Sequence, residues 1–178
     1  MVYLFLADGF EEVEALATLD FLRRSDIEVL TVGISADKIK GSHSITVECD
    51  ITEDKVALDN KVEAIILPGG MPGTINLENS ETVQKAIKYC LENDIYIASI
   101  CAAPSILGHI GALKGKEAIC YPGFEKELEG AKVSEKPVVT DGKIITGKSM
   151  GYAIEFGAEI VRNIKDTDTA EKVMRAIL

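Results

Sequence analysis

The residue best placed to do chemistry is Cys101, which stands where an apolar run passes directly into a run of small residues. Ile95–Ile100 is β-branched and aromatic, as expected for a buried parallel strand. Ala102–Ser105 contains Ala, Pro and Ser, which is typical of the first turn of a helix. Free N–H groups and the helix dipole favour an anion there, so we expect the thiol to ionise more easily than free cysteine and to act as a nucleophile. The alternative is a small core residue, because free cysteines are often buried.

An acid that could assist such a thiol is Glu14, in the segment Asp8–Glu14 that follows the first apolar run. In this segment Asp8 is predicted to cap a helix, and Glu11 to complete a capping box. Glu14 shares a mostly apolar helix face, so we expect it to be partly desolvated and its pKa to be raised. It would then keep a proton and donate a hydrogen bond to a thiolate or a substrate. The alternative is a solvated acid in the first helical turn.

A third candidate is the double glycine of Pro68-Gly69-Gly70, which ends another apolar run. Glycines let backbone N–H groups approach a ligand without obstruction by a side chain. Together with the N–H of Ala102, these groups could form an oxyanion hole, although a plain turn at a strand end is the alternative. The chain has neither a G-x-G-x-x-G nor a P-loop motif, so nucleotide binding is not indicated and we expect no cofactor.

The elements that must position these residues alternate between strand and helix patterns. The predicted strands are Val2–Ala7, Ile27–Gly33, Val62–Leu67 and Ile95–Ile100, followed by a hairpin of Val138–Thr140 and Lys143–Thr146 around Asp141-Gly142. The predicted helices are Phe10–Arg24, Glu81–Glu92, Ala102–Leu113, Gly151–Asn163 and Thr167–Leu178, and Lys38–Cys49 is predicted to form an excursion or a small hairpin. This order predicts an α/β fold with a mostly parallel sheet, whose strand ends converge on one pocket.

Composition narrows the function classes. The 178 residues suffice for one domain spanning residues 1–178, and the net charge of -10 disfavours a nucleic-acid partner. No apolar run has the length of a membrane span, and the first residues lack the basic region of a signal peptide, so we expect no membrane partner and a cytoplasmic location. The four cysteines match no metal or redox-pair spacing and there are two histidines, so we expect no metal site.

Three segments resemble hallmark motifs of the ThiJ/PfpI superfamily, which is similar to class I glutamine amidotransferases, and in particular of its DJ-one-like branch. They are Leu6–Glu14, Leu67–Gly70 and Ala98–Pro104, and Arg23-Arg24 and Lys40–His43 also match segments of that branch. The resemblance implies a flavodoxin-like three-layer α/β/α sandwich that forms a homodimer. It also implies that Cys101 is the nucleophile, that Glu14 hydrogen-bonds the sulfur, and that Gly69, Gly70 and Ala102 supply backbone donors.

One departure from the family pattern concerns the loop Ile119-Cys120-Tyr121-Pro122, where many members have a histidine in place of Tyr121. Tyrosine has a reference pKa of about 10 and is a poor base at neutral pH, so this loop cannot supply a cysteine–histidine dyad. We expect Tyr121 to orient a substrate oxygen instead. His43 could enter a partner's pocket, and His109 is expected to point away from Cys101. Cys120 is either a resolving thiol or a core residue.

The resemblance implies two main functions for one acidified thiol. The first is a cofactor-independent glyoxalase or deglycase acting on small reactive aldehydes such as methylglyoxal, or on glycated groups. The alternative is an oxidative-stress sensor or a redox-regulated chaperone. Cysteine peptidase and thiazole-phosphate biosynthesis are inherited family labels that these residues favour less. Both main functions need the same thiolate, so the sequence keeps both open.

Overall fold

The computed structural model describes all 178 residues. Its strands are β1 (Val2–Leu6), β2 (Val29–Gly33), β3 (Lys38–Lys40), β4 (Thr46–Glu48), β5 (Ile51–Thr52), β6 (Ala64–Leu67), β7 (Tyr96–Ile100), β8 (Glu117–Ala118), β9 (Lys132–Val133), β10 (Val138–Asp141) and β11 (Ile144–Gly147). Its helices are α1 (Glu12–Arg24), α2 (Gly73–Glu78), α3 (Glu81–Glu92), α4 (Pro104–His109), α5 (Ala153–Ile164) and α6 (Thr167–Ile177), and short 3₁₀ turns cover Glu53–Lys55, Glu125–Glu127 and Met150–Tyr152.

The central sheet has seven strands in the order β10-β11-β7-β6-β1-β2-β5. All neighbouring strands are parallel except β10 and β11, which form the predicted antiparallel hairpin. The predicted excursion at Lys38–Cys49 is confirmed as the antiparallel pair β3–β4. Because β6 lies between β1 and β7, the carboxyl ends of these three strands meet at one edge of the sheet.

Helices cover both faces of the sheet, which confirms the predicted three-layer α/β/α architecture. All five residues of β1 are buried, as expected for a strand packed on both sides. Leu4 and Leu6 join a core cluster with residues of α1, α5 and α6, whereas Tyr3 and Phe5 join a second cluster with residues of α3 and α4. No helix combines the length and the apolarity that a membrane crossing requires.

Four of the five predicted helices differ from the predictions in at least one boundary, and the differences at α1 and α4 bear on the residues singled out above. Helix α1 begins at Glu12 and is capped by Glu11, whose carboxylate accepts a hydrogen bond from the Glu14 amide at 2.7 Å. The predicted cap at Asp8 is therefore wrong, because the Asp8 carboxylate instead accepts from the amide of Lys40 at 2.8 Å.

Helix α4 is shorter than the predicted Ala102–Leu113 segment. It starts at Pro104 and ends at His109, and the chain then turns at Gly111, whose φ is +74°. A residue with positive φ ends an α-helix, and glycine adopts this conformation without a steric penalty. The shortening leaves Ala102 in the turn between β7 and α4 rather than within the helix.

Glu12 fastens the β3–β4 hairpin to the start of α1. The Glu12 side chain is buried and accepts hydrogen bonds from the His43 amide at 2.7 Å, the Ile45 amide at 3.4 Å and the Ser42 hydroxyl at 3.2 Å. Burial alone would raise the pKa of Glu12, but its hydrogen bonds to His43 and to backbone amides outweigh burial and lower the pKa to about 2. The ionised carboxylate therefore stabilises the fold.

We expect Glu12→Gln to lower the free energy of unfolding by about 2 kcal/mol at pH 7, because charge-assisted hydrogen bonds are lost. The folded-state pKa lies below the unfolded value, so this stabilisation is complete above pH 4.5 and is lost as the pH falls towards 2. Urea unfolding at several pH values measures both effects. Glu92→Gln, at an exposed position on α3, is the control. An equal loss in the control, or a difference that does not shrink in acid, would contradict the role of Glu12.

Candidate active site

Cys101 lies on a strained elbow between β7 and α4. Its φ is +66°, in the left-handed region that costs a non-glycine residue roughly 1–2 kcal/mol. The Cys101 amide donates to the carbonyl oxygen of Gly147 at 2.9 Å, and the Cys101 carbonyl accepts from the Tyr121 amide at 2.7 Å. Hydrogen bonds from two flanking segments thus hold the elbow, and its geometry resembles the nucleophile elbow of α/β-hydrolases. The anchoring roles of Gly147 and Tyr121 were not predicted, because backbone hydrogen bonds leave no mark on residue type.

Glu14 is brought to the same place by the first turn of α1. It is 1% exposed, and its Oε2 accepts a hydrogen bond from the Gly69 amide at 2.9 Å. A Cβ placed on Gly69 would lie 2.7 Å from both the Cys101 Cβ and the Glu14 Oε2. The site therefore has no room for a side chain at position 69, and it brings together the acid, the cysteine and the double glycine.

The other carboxyl oxygen of Glu14 has no well-aligned partner. Oε1 is buried and accepts no hydrogen bond of good geometry, although the Cys101 thiol and the Met150 amide are near enough to lower the pKa of Glu14. Burial outweighs these contacts and raises that pKa to about 7, and the negative charge of Glu11 adds to the rise. The prediction of a desolvated Glu14 is confirmed, and the solvated alternative is wrong.

The thiol of Cys101 behaves differently from the prediction. Burial and the negative charge of Glu14 raise the pKa of the thiol. The amides of Ala102 and Gly70 hydrogen-bond the sulfur and lower this pKa, but by less than the other effects raise it. The prediction that this thiol ionises more easily than free cysteine is therefore wrong, because burial is the largest cause of the raised pKa. Residue types indicate the donors at the helix start but not the burial of the sulfur. A neutral Glu14 removes the repulsion, so the two groups titrate as a pair.

The three predicted backbone donors do not act alike. The Gly69 amide is engaged by Glu14, whereas the amides of Gly70 and Ala102 interact with the sulfur. The expectation that the Gly69 amide stabilises an oxyanion is wrong, because its hydrogen is already shared with a carboxylate, and the same role for Gly70 and Ala102 stays a prediction. Gly69 holds the acid in place instead.

Neither histidine belongs to this site. His109 lies between Glu78 and Glu127, with nitrogen-to-oxygen distances of 2.5 and 2.9 Å, so its predicted orientation away from Cys101 is confirmed. His43 Nδ1 lies 3.0 Å from Glu12 Oε2. No histidine contributes to the pKa of Cys101. Within this chain Cys101 therefore has no histidine partner, and the entry of His43 into a partner's pocket stays a prediction.

Two residues near the elbow keep their predicted roles untested. The Tyr121 side chain is half-exposed, and its suggested contact with a substrate oxygen stays a prediction. Cys120 is buried, and burial raises its pKa to about 12. The buried position agrees with a core residue, and the role as a resolving thiol stays a prediction.

One group of side chains has the chemistry of a cation site. Glu11, Glu12 and His43 each offer a ligand atom, and these atoms lie within 4.8 Å of one another. Their oxygens are already engaged, since Glu11 caps α1 and Glu12 accepts several hydrogen bonds from the hairpin. A cation would have to displace these bonds, so the group is better described as the attachment of the hairpin.

Comparison with known proteins assigns the chain to a family. The model of the DJ-1/PfpI family matches residues 1–163. The chain belongs to the DJ-1/PfpI family. It is 32% identical over 176 residues to the protein dj-1beta of Drosophila melanogaster, covering 97% of this chain and 94% of that protein. It is also 32% identical over 167 residues to a protein of Pyrococcus abyssi named a deglycase, covering 92% of this chain and 99% of that protein.

A solved structure of a DJ-1 protein shares the fold. The structure of oxidised DJ-1 from Toxoplasma gondii superposes with a TM-score of 0.94 at 28% identity, covering 99% of this chain and 96% of that one. The resemblance found in the three motifs is thereby confirmed as membership of the DJ-1/PfpI family, and the predicted fold class is confirmed with it.

We expect Glu14→Gln to make the protein more stable than the wild type at pH 8. The folded-state pKa of Glu14 lies above the unfolded value, so its protonated form stabilises the fold below pH 4.5 and this contribution is lost as the pH rises to about 7. At pH 8 the buried charge costs about 3 kcal/mol, which glutamine avoids. Urea unfolding at pH 5 and pH 8 measures the difference. A variant less stable than the wild type at pH 8 would show that Glu14 is not the desolvated acid described above.

Proposed function

We propose that the chain is a cysteine-dependent, cofactor-independent enzyme of the glyoxalase and deglycase type, acting on reactive aldehydes such as methylglyoxal. The observation that carries this proposal is the buried Glu14 carboxyl, with a pKa of about 7 and an Oε1 without a well-aligned partner, beside Cys101 on its elbow. A general acid–base works best when its pKa lies near the operating pH. The deglycase name of the Pyrococcus abyssi relative supports the same reaction class.

The first step forms a bond between the Cys101 sulfur and the aldehyde carbon of the substrate. The thiol proton passes to the ionised Glu14 carboxylate, and the aldehyde oxygen then takes that proton to give a hemithioacetal. With a glycated amine, the same attack breaks the carbon–nitrogen bond, and the amine leaves with the proton. The amides of Gly70 and Ala102 stabilise negative charge that develops during the attack.

The second step moves hydrogen within the bound substrate. Glu14 removes the proton from the carbon attached to sulfur and delivers it to the neighbouring carbonyl oxygen, giving an enediol. It then takes the hydroxyl proton of the sulfur-bearing carbon and delivers it to the neighbouring carbon. The product is a hydroxyacyl thioester, in which one carbon has been oxidised and its neighbour reduced, so no external oxidant is needed. Water then cleaves the thioester to release lactate from methylglyoxal and to restore the Cys101 thiol. The unpartnered Oε1 of Glu14 is the atom available for these transfers.

A second candidate function uses the same thiol as a sensor of peroxide, and the oxidised relative from Toxoplasma gondii favours it. One peroxide molecule would convert the thiol to a sulfenic acid and water, and a second would give the sulfinic acid and water. A protonated Glu14 and the amides of Gly70 and Ala102 are suitable donors for the sulfinate oxygens.

We expect Cys101→Ser to lower lactate formation from methylglyoxal by about a hundredfold or more, and Glu14→Gln to lower it by a similar factor, since acid–base catalysis contributes about 10²–10⁴-fold. A stereospecific lactate assay measures the product, and one enantiomer should dominate because a single carboxyl returns the proton. Cys120→Ala is the matched control and should retain turnover. Undiminished activity in Cys101→Ser would end the proposal of covalent catalysis.

We expect limiting peroxide to add two oxygen atoms to Cys101 before any other cysteine, if the sensor function holds. Cys101 is only partly buried, whereas the three remaining cysteines are buried, so peroxide should reach those three more slowly. Intact mass and peptide mapping during a peroxide titration measure the order of oxidation. Survival of Cys101 while another cysteine oxidises would contradict a sensor role.

A further inference from the structure

His109, the last residue of α4, joins three segments of the chain. Its Nδ1 lies 2.5 Å from a carboxylate oxygen of Glu78, the last residue of α2. Its Nε2 lies 2.9 Å from a carboxylate oxygen of Glu127, in the 3₁₀ turn Glu125–Glu127. An ionised carboxylate only accepts hydrogen bonds, so both ring nitrogens must donate, and only the charged imidazolium carries a hydrogen on each nitrogen. The junction is therefore complete only while His109 is protonated.

The charged groups around His109 favour its protonated form. Its hydrogen bonds to Glu78 and Glu127 raise the pKa of His109 and outweigh its partial burial, which lowers it. No other residue of α2 or α4 is charged. In the 3₁₀ turn, Glu125 accepts a hydrogen bond from a backbone amide of its own loop, and Lys126 forms no ion pair with either carboxylate. The imidazolium is thus the cation that joins these two carboxylates.

The bond to Glu78 connects His109 to the double glycine through α2. This helix has six residues, and Glu78 is at its carboxyl end. At the other end, the Thr74 amide donates to the Gly70 carbonyl at 2.9 Å. The Gly70 amide in turn hydrogen-bonds the Cys101 sulfur. Because a short helix moves as a rigid unit, a restraint on Glu78 also restrains the position of the Gly70 amide.

The bond to Glu127 connects His109 to the backbone that holds the elbow. The Glu127 amide donates to the Phe124 carbonyl at 3.0 Å, and the Phe124 amide donates to the Tyr121 carbonyl at 3.0 Å. Two consecutive turns therefore lead from Glu127 back to Tyr121. The Tyr121 amide donates to the Cys101 carbonyl at 2.7 Å. A second group that holds Cys101 is thus connected to the same imidazolium.

We propose that charged His109 is a positioning residue for the reaction at Cys101, because it holds α2 and the segment 121–127 against α4. Loss of the ring proton leaves one carboxylate without a donor, releases one of the two segments and slows the reaction. This inference rests on the proposed function. The folded-state pKa of His109 lies above the unfolded value, so the contribution is complete below pH 6.5 and is lost as the pH rises through the folded-state pKa.

Two substitutions of His109 test whether its charge matters. Glutamine has a single donor nitrogen, whereas arginine keeps its charge and presents several N–H groups to both carboxylates. We expect kcat/KM of His109→Gln for lactate formation to be about one tenth of the wild-type value at pH 6, and to approach that value at pH 9. His109→Arg should match the wild type at pH 6 and exceed it at pH 9. Ratios to the wild type cancel the titration of Glu14 and Cys101, which all three proteins share.

The opposite results are equally clear. A His109→Gln ratio that is the same at pH 6 and pH 9 would show a merely structural effect and overturn the inference. A His109→Arg variant no more active than His109→Gln would also overturn it.

Hydrogen exchange of the Tyr121 amide tests the same connection without turnover. We expect this amide to exchange about tenfold faster in His109→Gln than in the wild type at pH 6, because the segment that carries it is released. His109→Arg should match the wild type. Glu127→Gln should also exchange faster, whereas the matched Glu92→Gln, at an exposed position on α3, should retain wild-type protection. Equal exchange in all five proteins would overturn the inference.

The two measurements distinguish failure of this inference from failure of the proposed function. Absence of lactate formation in the wild type would overturn the proposed function, and the exchange rates would still decide whether His109 holds the elbow. Lactate formation by the wild type together with equal exchange in all the variants would overturn only the role of His109.

Discussion

The site depends on one short contact, in which the Gly69 amide donates a hydrogen bond to Glu14 at a point too narrow for any side chain. This hydrogen bond joins α1 to the segment after β6, and Cys101, which follows β7, packs against the same glycine. The hydrogen bond fixes Oε2 of Glu14, whereas Oε1 is buried and has no well-aligned partner. The raised pKa of Glu14 follows from that burial, so the chemistry assigned to the acid is a product of packing.

Sheet topology explains why these groups meet. The strands β1, β6 and β7 are neighbours and parallel, so the residues after each strand emerge at one edge of the sheet. The next strand, β11, adds the Gly147 carbonyl that holds the Cys101 amide. The position of Cys101 is therefore set by four strands, β1, β6, β7 and β11, whose buried side chains belong to two separate apolar clusters.

Patterns of residue type were sufficient to predict the main strands, the buried face of α1 and the presence of backbone donors at the double glycine Gly69-Gly70. These features depend on hydrophobic periodicity and on backbone freedom, both of which are local. The predictions failed where a distant partner decided the outcome. Asp8 bonds Lys40 across the hairpin rather than capping its own helix, and the Gly69 amide is taken by Glu14. The pKa of Cys101 was predicted in the wrong direction because burial and a neighbouring charge depend on the assembled fold.

The positive φ of Cys101 also has an evolutionary consequence. Glycine is the one residue that adopts this backbone conformation freely, so a glycine at position 101 would relieve roughly 1–2 kcal/mol of strain. The protein forgoes that gain for as long as the sulfur is useful. In a lineage released from selection for the thiol, mutations that improve folding would be favoured at this very position, and the elbow would be among the first parts of the chain to lose its reactive residue.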